Sequence, residues 1–168
     1  LTAGKKIAVF ALPGAYTPTC SAKHVPGYVA NFDKLKAAGV DEVWCLSVND
    51  AFVMGAWGRD QKTGGKVRMM ADGSADFAKA TGLTLDLTGR GMGVRSNRYS
   101  MLVKDGVIQK MFVEPEKAGD PFEVSDADTM LNYINPKAKK PDQVAILTRE
   151  GCGYCAKAKA LLKELGYA

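Results

Sequence analysis

The chain has little of what several protein classes require. It carries one histidine and four cysteines in 168 residues. A lone histidine leaves no histidine pair to complete a zinc site, and four cysteines are too few for the disulfide framework of a small secreted domain. No apolar run approaches the roughly 18 residues that suggest a membrane span. The opening LTAGKKIAVFALPG lacks the basic start, long apolar core and small-residue cleavage site of a secretory signal. Leu1 in place of Met points to a mature or excised chain. Nor is there a strong single-sign field. The formal net charge is +5, but Lys and Arg alternate with Asp and Glu along the chain, which argues against a nucleic-acid partner. The densest basic stretch, PKAKKP at 136–141, reads as a solvated linker.

What is present is ordinary globular composition, 46% hydrophobic and 24% charged, with length for one sizeable core and a small remainder. Two of the four cysteines form a CxxC, so thiol chemistry in a reducing, cytoplasmic compartment is the expectation.

Hydrophobic periodicity divides the chain. KKIAVFAL at 5–12 predicts a strand stopped by Pro13 and Gly14. Val25, Tyr28, Val29, Phe32 and Leu35 predict a helix over 18–38, bent at Pro26 and closed by Gly39. EVWCLSV at 42–48 predicts a buried strand, 50–60 a helix capped by Asn49 or Asp50, 67–70 a strand and 74–82 a helix. RYSMLVKDGVIQKMFVE at 98–114 predicts a hairpin turning on Asp105 and Gly106, and Ser125 is read as the cap of a helix through Ile134. The order βαβαβα then ββα implies a thioredoxin-like α/β fold, a parallel sheet extended by an antiparallel hairpin with helices on both faces. This domain spans 1–135, the linker 136–142. QVAILT at 143–148 and the helix 156–166 then begin a second βα unit over 143–168. One βα unit cannot bury its own apolar face, so either it packs on the first domain or the rest of a second domain follows Ala168, and the second reading is preferred.

PGAYTPTC puts Pro13, Thr17 and Cys20 in a loop that leaves a strand and enters a helix. A thiolate, not a thiol, is the nucleophile, and helix N-terminal amides with a nearby cation favour it. The Thr17 hydroxyl can donate or accept, and Pro13 shapes and dries the pocket. Attack on a hydroperoxide pushes negative charge onto the departing oxygen and calls for a fixed donor. Of Arg90, Arg95 and Arg98, Arg98 is preferred because it opens the strand RYSMLV; Arg95 is second.

PGAYTPTCSAKHVPGY, EVWCLSVNDAFVMGAW and RSNRYSMLVKDG resemble three separated blocks of the type-five, or plant type-II, peroxiredoxins, and together span most of 5–115. The resemblance implies Cys20 as peroxidatic cysteine, Pro13 and Thr17 as pocket residues, Arg98 as activating arginine, and a Cys20 sulfenic acid that must be reduced before over-oxidation. It implies strands ahead of Leu1 and pairing through loops near the site as a homodimer or a higher homo-oligomer. No bound cofactor is expected.

His24 lies four residues after Cys20 on the same helical face. A Cys-His nucleophile pair is one reading, a histidine supporting the pocket by hydrogen bonds the preferred one, because a peroxide needs no general base once the thiolate exists. Cys45, in mid-strand, is read as a buried inert thiol ahead of a resolving cysteine; some plant-like relatives have a second cysteine in this strand, but a disulfide would require the Cys20 loop to unwind.

CGYC at 152–155 follows a strand and opens a helix, which makes Cys152 the nucleophile and Cys155 its resolving partner, with Arg149, Lys157 and Lys159 adding positive potential. AILTREGCGYCAKAKALLKELG resembles the start of a glutaredoxin, and fusion of such a module behind a type-five peroxiredoxin is a known bacterial arrangement. Gly153 stands where glutaredoxins commonly have proline, and the chain ends before their later proline loop and glycine pair. The combined expectation is a glutathione-dependent hydroperoxide reductase. The alternatives are a peroxide-sensing redox switch and a general dithiol oxidoreductase acting through Cys152.

Overall fold

The computed structural model describes residues 1–136. The linker beyond Pro136, the second βα unit, Cys152 and Cys155 lie outside the described residues.

The chain runs β1 (Lys6–Leu12), α1 (Val25–Ala30), α2 (Phe32–Ala37), β2 (Glu42–Ser47), α3 (Ala51–Asp60), β3 (Val67–Ala71), α4 (Asp76–Thr81), β4 (Thr84–Leu87), β5 (Gly93–Ser96), β6 (Tyr99–Lys104), β7 (Val107–Val113) and α5 (Ala127–Ile134). The main sheet has the order β3-β2-β1-β6-β7. β1, β2 and β3 are parallel, β6 pairs antiparallel with β1, and β7 pairs antiparallel with β6 at the edge. This is the thioredoxin-like arrangement expected from the alternation of elements. The hairpin turns where Asp105 and Gly106 both adopt positive φ, 49° and 77°, the geometry that a right-twisted two-residue turn demands.

Strand alternation sends side chains to two faces. One face, with Ala8, Phe10, Leu12, Val43, Cys45 and Leu102, buries Val25, Tyr28, Leu35, Met54, Trp57, Met130 and Leu131 of α1, α2, α3 and α5. The other, with Ile7, Val9, Ala11, Trp44, Tyr99, Met101 and Val103, is less thickly covered; Phe77 of α4 lines a cavity there of about 310 Å³ beside Trp44 and Met70.

Three local expectations need correction. The single helix over 18–38 is interrupted: a π-helical turn, Cys20–His24, precedes α1, and Asn31 (φ −99°, ψ 7°) separates α1 from α2. Pro26 directly follows the π-helical turn, at the second residue of α1. The cap of α5 is Asp126, which accepts from the Thr129 amide at 3.1 Å, since the Ser125 side chain is already bonded to Glu114. Residues 84–96, given no structure by the sequence reading, form a separate antiparallel pair, β4 with β5. In contrast, Asp50 caps α3 as one of the two candidates, accepting from the Val53 amide at 2.8 Å.

Candidate active site

β1 ends at Leu12, and the next residues form a loop fixed from three sides. The Ala15 amide donates to Asn49 Oδ1 at 3.0 Å, and Ser47 Oγ donates to the same oxygen at 2.6 Å. Arg95 Nη1 donates to the Pro13 carbonyl at 3.2 Å, packing so closely that a Cβ on Gly14 would lie 2.7 Å from it. The Thr17 hydroxyl donates to the Gly14 carbonyl at 2.7 Å, which spends its proton and leaves its lone pairs facing elsewhere. The chain becomes helical at Pro18. The Ser21 amide is bonded to the Thr17 carbonyl at 3.0 Å, so Cys20 stands in the first turn, among amides that have no intrahelical partner.

The π-helical turn then sets the geometry. The Val25 N–H reaches back five residues to the Cys20 carbonyl, and the widened turn points both Cys20 and His24 into the core, each without exposed surface. Arg98, immediately before β6 and also buried, meets them there. Its Nη2 donates to Cys20 Sγ at 3.1 Å and its Nη1 to His24 Nδ1 at 2.9 Å. A guanidinium only donates, so Nδ1 of His24 accepts and Nε2 carries the proton, donating to the Ser125 carbonyl at 3.1 Å. Burial, and next the Arg98 charge, push the His24 pKa down to about 3 against the Ser125 bond, which favours the charged form. The imidazole is therefore neutral at pH 7, with its accepting nitrogen occupied by Arg98. It is not free to act as a base toward Cys20.

Two carboxylates that the sequence reading did not single out complete the surroundings. Glu114, just past β7 and buried, gathers the segment 123–125. Its Oε1 accepts from the amides of Glu123 (2.9 Å), Val124 (2.8 Å) and Ser125 (2.8 Å) and from Ser125 Oγ (2.8 Å). That turn presents the Ser125 carbonyl to His24 and, at 3.0 Å, to the Tyr28 hydroxyl. Asp120 accepts from Arg98 Nη2 with both oxygens, at 2.9 and 3.0 Å. The Phe122 ring packs 4.9 Å from the His24 ring, centroid to centroid. Nothing in EPEKAGDPFEV carries a period or motif that would single these residues out; a Glu directly after an apolar strand run is the one local hint.

Residues 2–131 match the family model described as Redoxin. The hybrid peroxiredoxin hyPrx5 of Haemophilus influenzae is 48% identical over 162 residues, 96% of this chain and 67% of that protein. The chain belongs to the peroxiredoxins. Peroxiredoxin sll1621 of Synechocystis is 52% identical over 135 residues, 78% of this chain and 71% of its own. The crystal structure of reduced Prx3 from Vibrio vulnificus in complex with H2O2 superposes with a TM-score of 0.74 at 51% identity, covering 79% of this chain and 80% of that one.

Within this peroxiredoxin the remaining candidate residues separate clearly. Cys45, in the middle of β2 opposite Phe10 and Met69, is fully buried, and its thiol is pushed well above its usual range by that burial and next by Cys20. Arg95 holds the Pro13 carbonyl rather than the sulfur, and Arg90 lies exposed in a 3₁₀ turn between β4 and β5. Among the described residues no helix is long and apolar enough to cross a membrane.

Proposed function

We propose that this peroxiredoxin is a glutathione-dependent thiol peroxidase that reduces hydrogen peroxide and organic hydroperoxides through Cys20. The observation that carries the reading is the 3.1 Å contact from Arg98 Nη2 to Cys20 Sγ at a helix start. A cation and free first-turn amides at one sulfur favour the thiolate, and the same guanidinium can follow charge as it moves to the departing oxygen.

In the first step the Cys20 thiolate attacks the hydroxyl oxygen of ROOH. The S–O bond forms, the O–O bond breaks, and its electron pair leaves with RO⁻, which takes a proton from water. Thr17, its proton given to Gly14, accepts the peroxide O–H. Pro13, buried against this loop, helps keep water out. The sulfenic acid then condenses with glutathione, releasing water, and a second thiol exchanges the mixed disulfide back to Cys20. Cys152 and Cys155 would serve that exchange as a glutaredoxin-like dithiol. The sum is ROOH + 2 GSH → ROH + GSSG + H₂O. Exposed Tyr16 of the site loop and Phe52 at the start of α3 support a homodimer formed around the site.

Trp57 offers the test, because its buried indole donates to Ser21 Oγ at 3.1 Å, one residue after Cys20. Mixing reduced protein with peroxide in a stopped-flow instrument should give a Trp fluorescence change far faster than free cysteine reacts. A rate no faster than free cysteine would sink the reading. Steady-state turnover with glutathione should fall in Cys152→Ser while this first phase persists; unchanged turnover would remove the dithiol from the cycle.

A further inference from the structure

A cavity of about 580 Å³ opens beside Arg98, lined by Pro13, Asn97, Glu116, Lys117, Gly119 and Asp120 among others. Cys20 itself has no exposed surface, so from this side the cavity ends on the guanidinium that holds the sulfur. Asp120 stands there. Its side chain is 43% exposed while that of Arg98 is 3% exposed, so the ion pair spans the boundary between solvent and core.

The donors of Arg98 are unevenly used. Nη1 serves His24. The two hydrogens of Nη2 serve Cys20 Sγ on the inner side and both Asp120 oxygens on the outer side. Nε is buried with no partner among the described residues. Asp120 thus holds, from the cavity, the same nitrogen that the sulfur holds from the core, and it offsets the one buried cation of the site. The segment that carries Asp120 is tied down. Glu114 fixes residues 123–125, Lys117 pairs with Glu123, and the guanidinium carbon of Arg98 lies 5.9 Å from the Phe122 ring centroid.

We propose that Asp120 is the specificity-determining residue of the peroxide site, selecting uncharged hydroperoxides over anionic peroxides. The inference rests on the peroxidase reading and adds the substrate class. An uncharged hydroperoxide adds no charge beside the carboxylate, keeps its O–H for Thr17, and brings an oxygen that can take an Arg98 donor. An anionic peroxide lacks that hydrogen and meets a like charge at the point where Arg98 would otherwise attract it.

The test compares hydrogen peroxide with peroxynitrite, at a pH where the latter is anionic, by the Trp57 stopped-flow signal in the wild-type chain, Asp120→Asn and Asp120→Glu. Asp120→Asn should raise the peroxynitrite-to-hydrogen-peroxide rate ratio about three- to tenfold, the screened effect of one partly exposed charge. Asp120→Glu should return the ratio toward wild type. Added salt should raise the wild-type ratio and leave the Asn variant's nearly flat. If both rates change by the same factor, Asp120 merely positions Arg98 and the proposal is overturned; an unchanged ratio overturns it as well. Should the Asn variant fail to fold, the salt dependence of the wild-type ratio decides, a flat response contradicting the proposal. A wild-type chain that reacts with hydrogen peroxide no faster than free cysteine would instead defeat the peroxidase reading, an outcome separate from any change in the ratio.

Discussion

Cys20 and Cys45 belong to one core cluster and are equally buried, yet their surroundings are opposite. Cys45 lies mid-strand between the β1 and β3 neighbours Phe10 and Met69, where burial disfavours its thiolate. Cys20 lies in the first turn of a helix with a guanidinium nitrogen 3.1 Å from its sulfur. Burial alone therefore says nothing about thiol reactivity. What separates the two is the secondary-structure context and one long-range cation, which together decide whether a negative sulfur has partners.

The comparison can be broken most sharply by Cys20→Ser, which should reduce peroxide consumption to background, whereas Cys45→Ala should leave the rate within about twofold of wild type, since a thiol disfavoured as an anion is a poor nucleophile. Equal losses in the two variants would erase the distinction. Next in size is Arg98→Met, which removes the cation and should slow peroxide reaction by about 10²- to 10³-fold, the usual cost of a lost charge-stabilising donor; a loss below about tenfold would shift the credit to the helix start.

The brace behind Arg98 predicts a stability effect. Glu114→Gln replaces a buried carboxylate that collects four donors on one oxygen, and chemical denaturation should show a loss of about 1.5–3 kcal/mol. A smaller effect concerns pH. His24 titrates near 3 in the folded chain and near its ordinary value when unfolded. Between these values the unfolded state binds the extra proton, so stability rises with pH and is lost as pH falls from about 6.5, at up to about 1.4 kcal/mol per unit. His24→Asn, which keeps an acceptor toward Arg98, should flatten that part of the wild-type profile. Identical unfolding free energies from urea titrations at pH 5 and 7 would contradict the neutral buried imidazole.

Most of the frame was legible because its signals are local. The apolar run before Pro13, the Asp105-Gly106 turn and the alternation of strands with helices each depend on a few neighbouring residues. Arg98 was legible as a candidate because it abuts a strand. The interruption at Asn31 was not, since Val25, Tyr28, Val29, Phe32 and Leu35 keep helical spacing across it. The β4-β5 pair was missed because it is short and half-exposed, so its hydrophobic alternation is weak. Glu114 and Asp120 were missed for a different reason. Their partners lie across the fold or along an aperiodic loop, and a carboxylate in EPEKAGDPFEV looks solvated until the loop is folded back over Arg98.

On this reading Cys20, and not its equally buried neighbour Cys45, is the thiol that peroxide oxidises. Treating the reduced chain with one equivalent of hydrogen peroxide in the presence of dimedone, followed by peptide mass spectrometry, tests this directly. A dimedone adduct is expected on the Cys20 peptide and none on the Cys45 peptide. An adduct on Cys45, or none on Cys20 despite consumption of the peroxide, would contradict it.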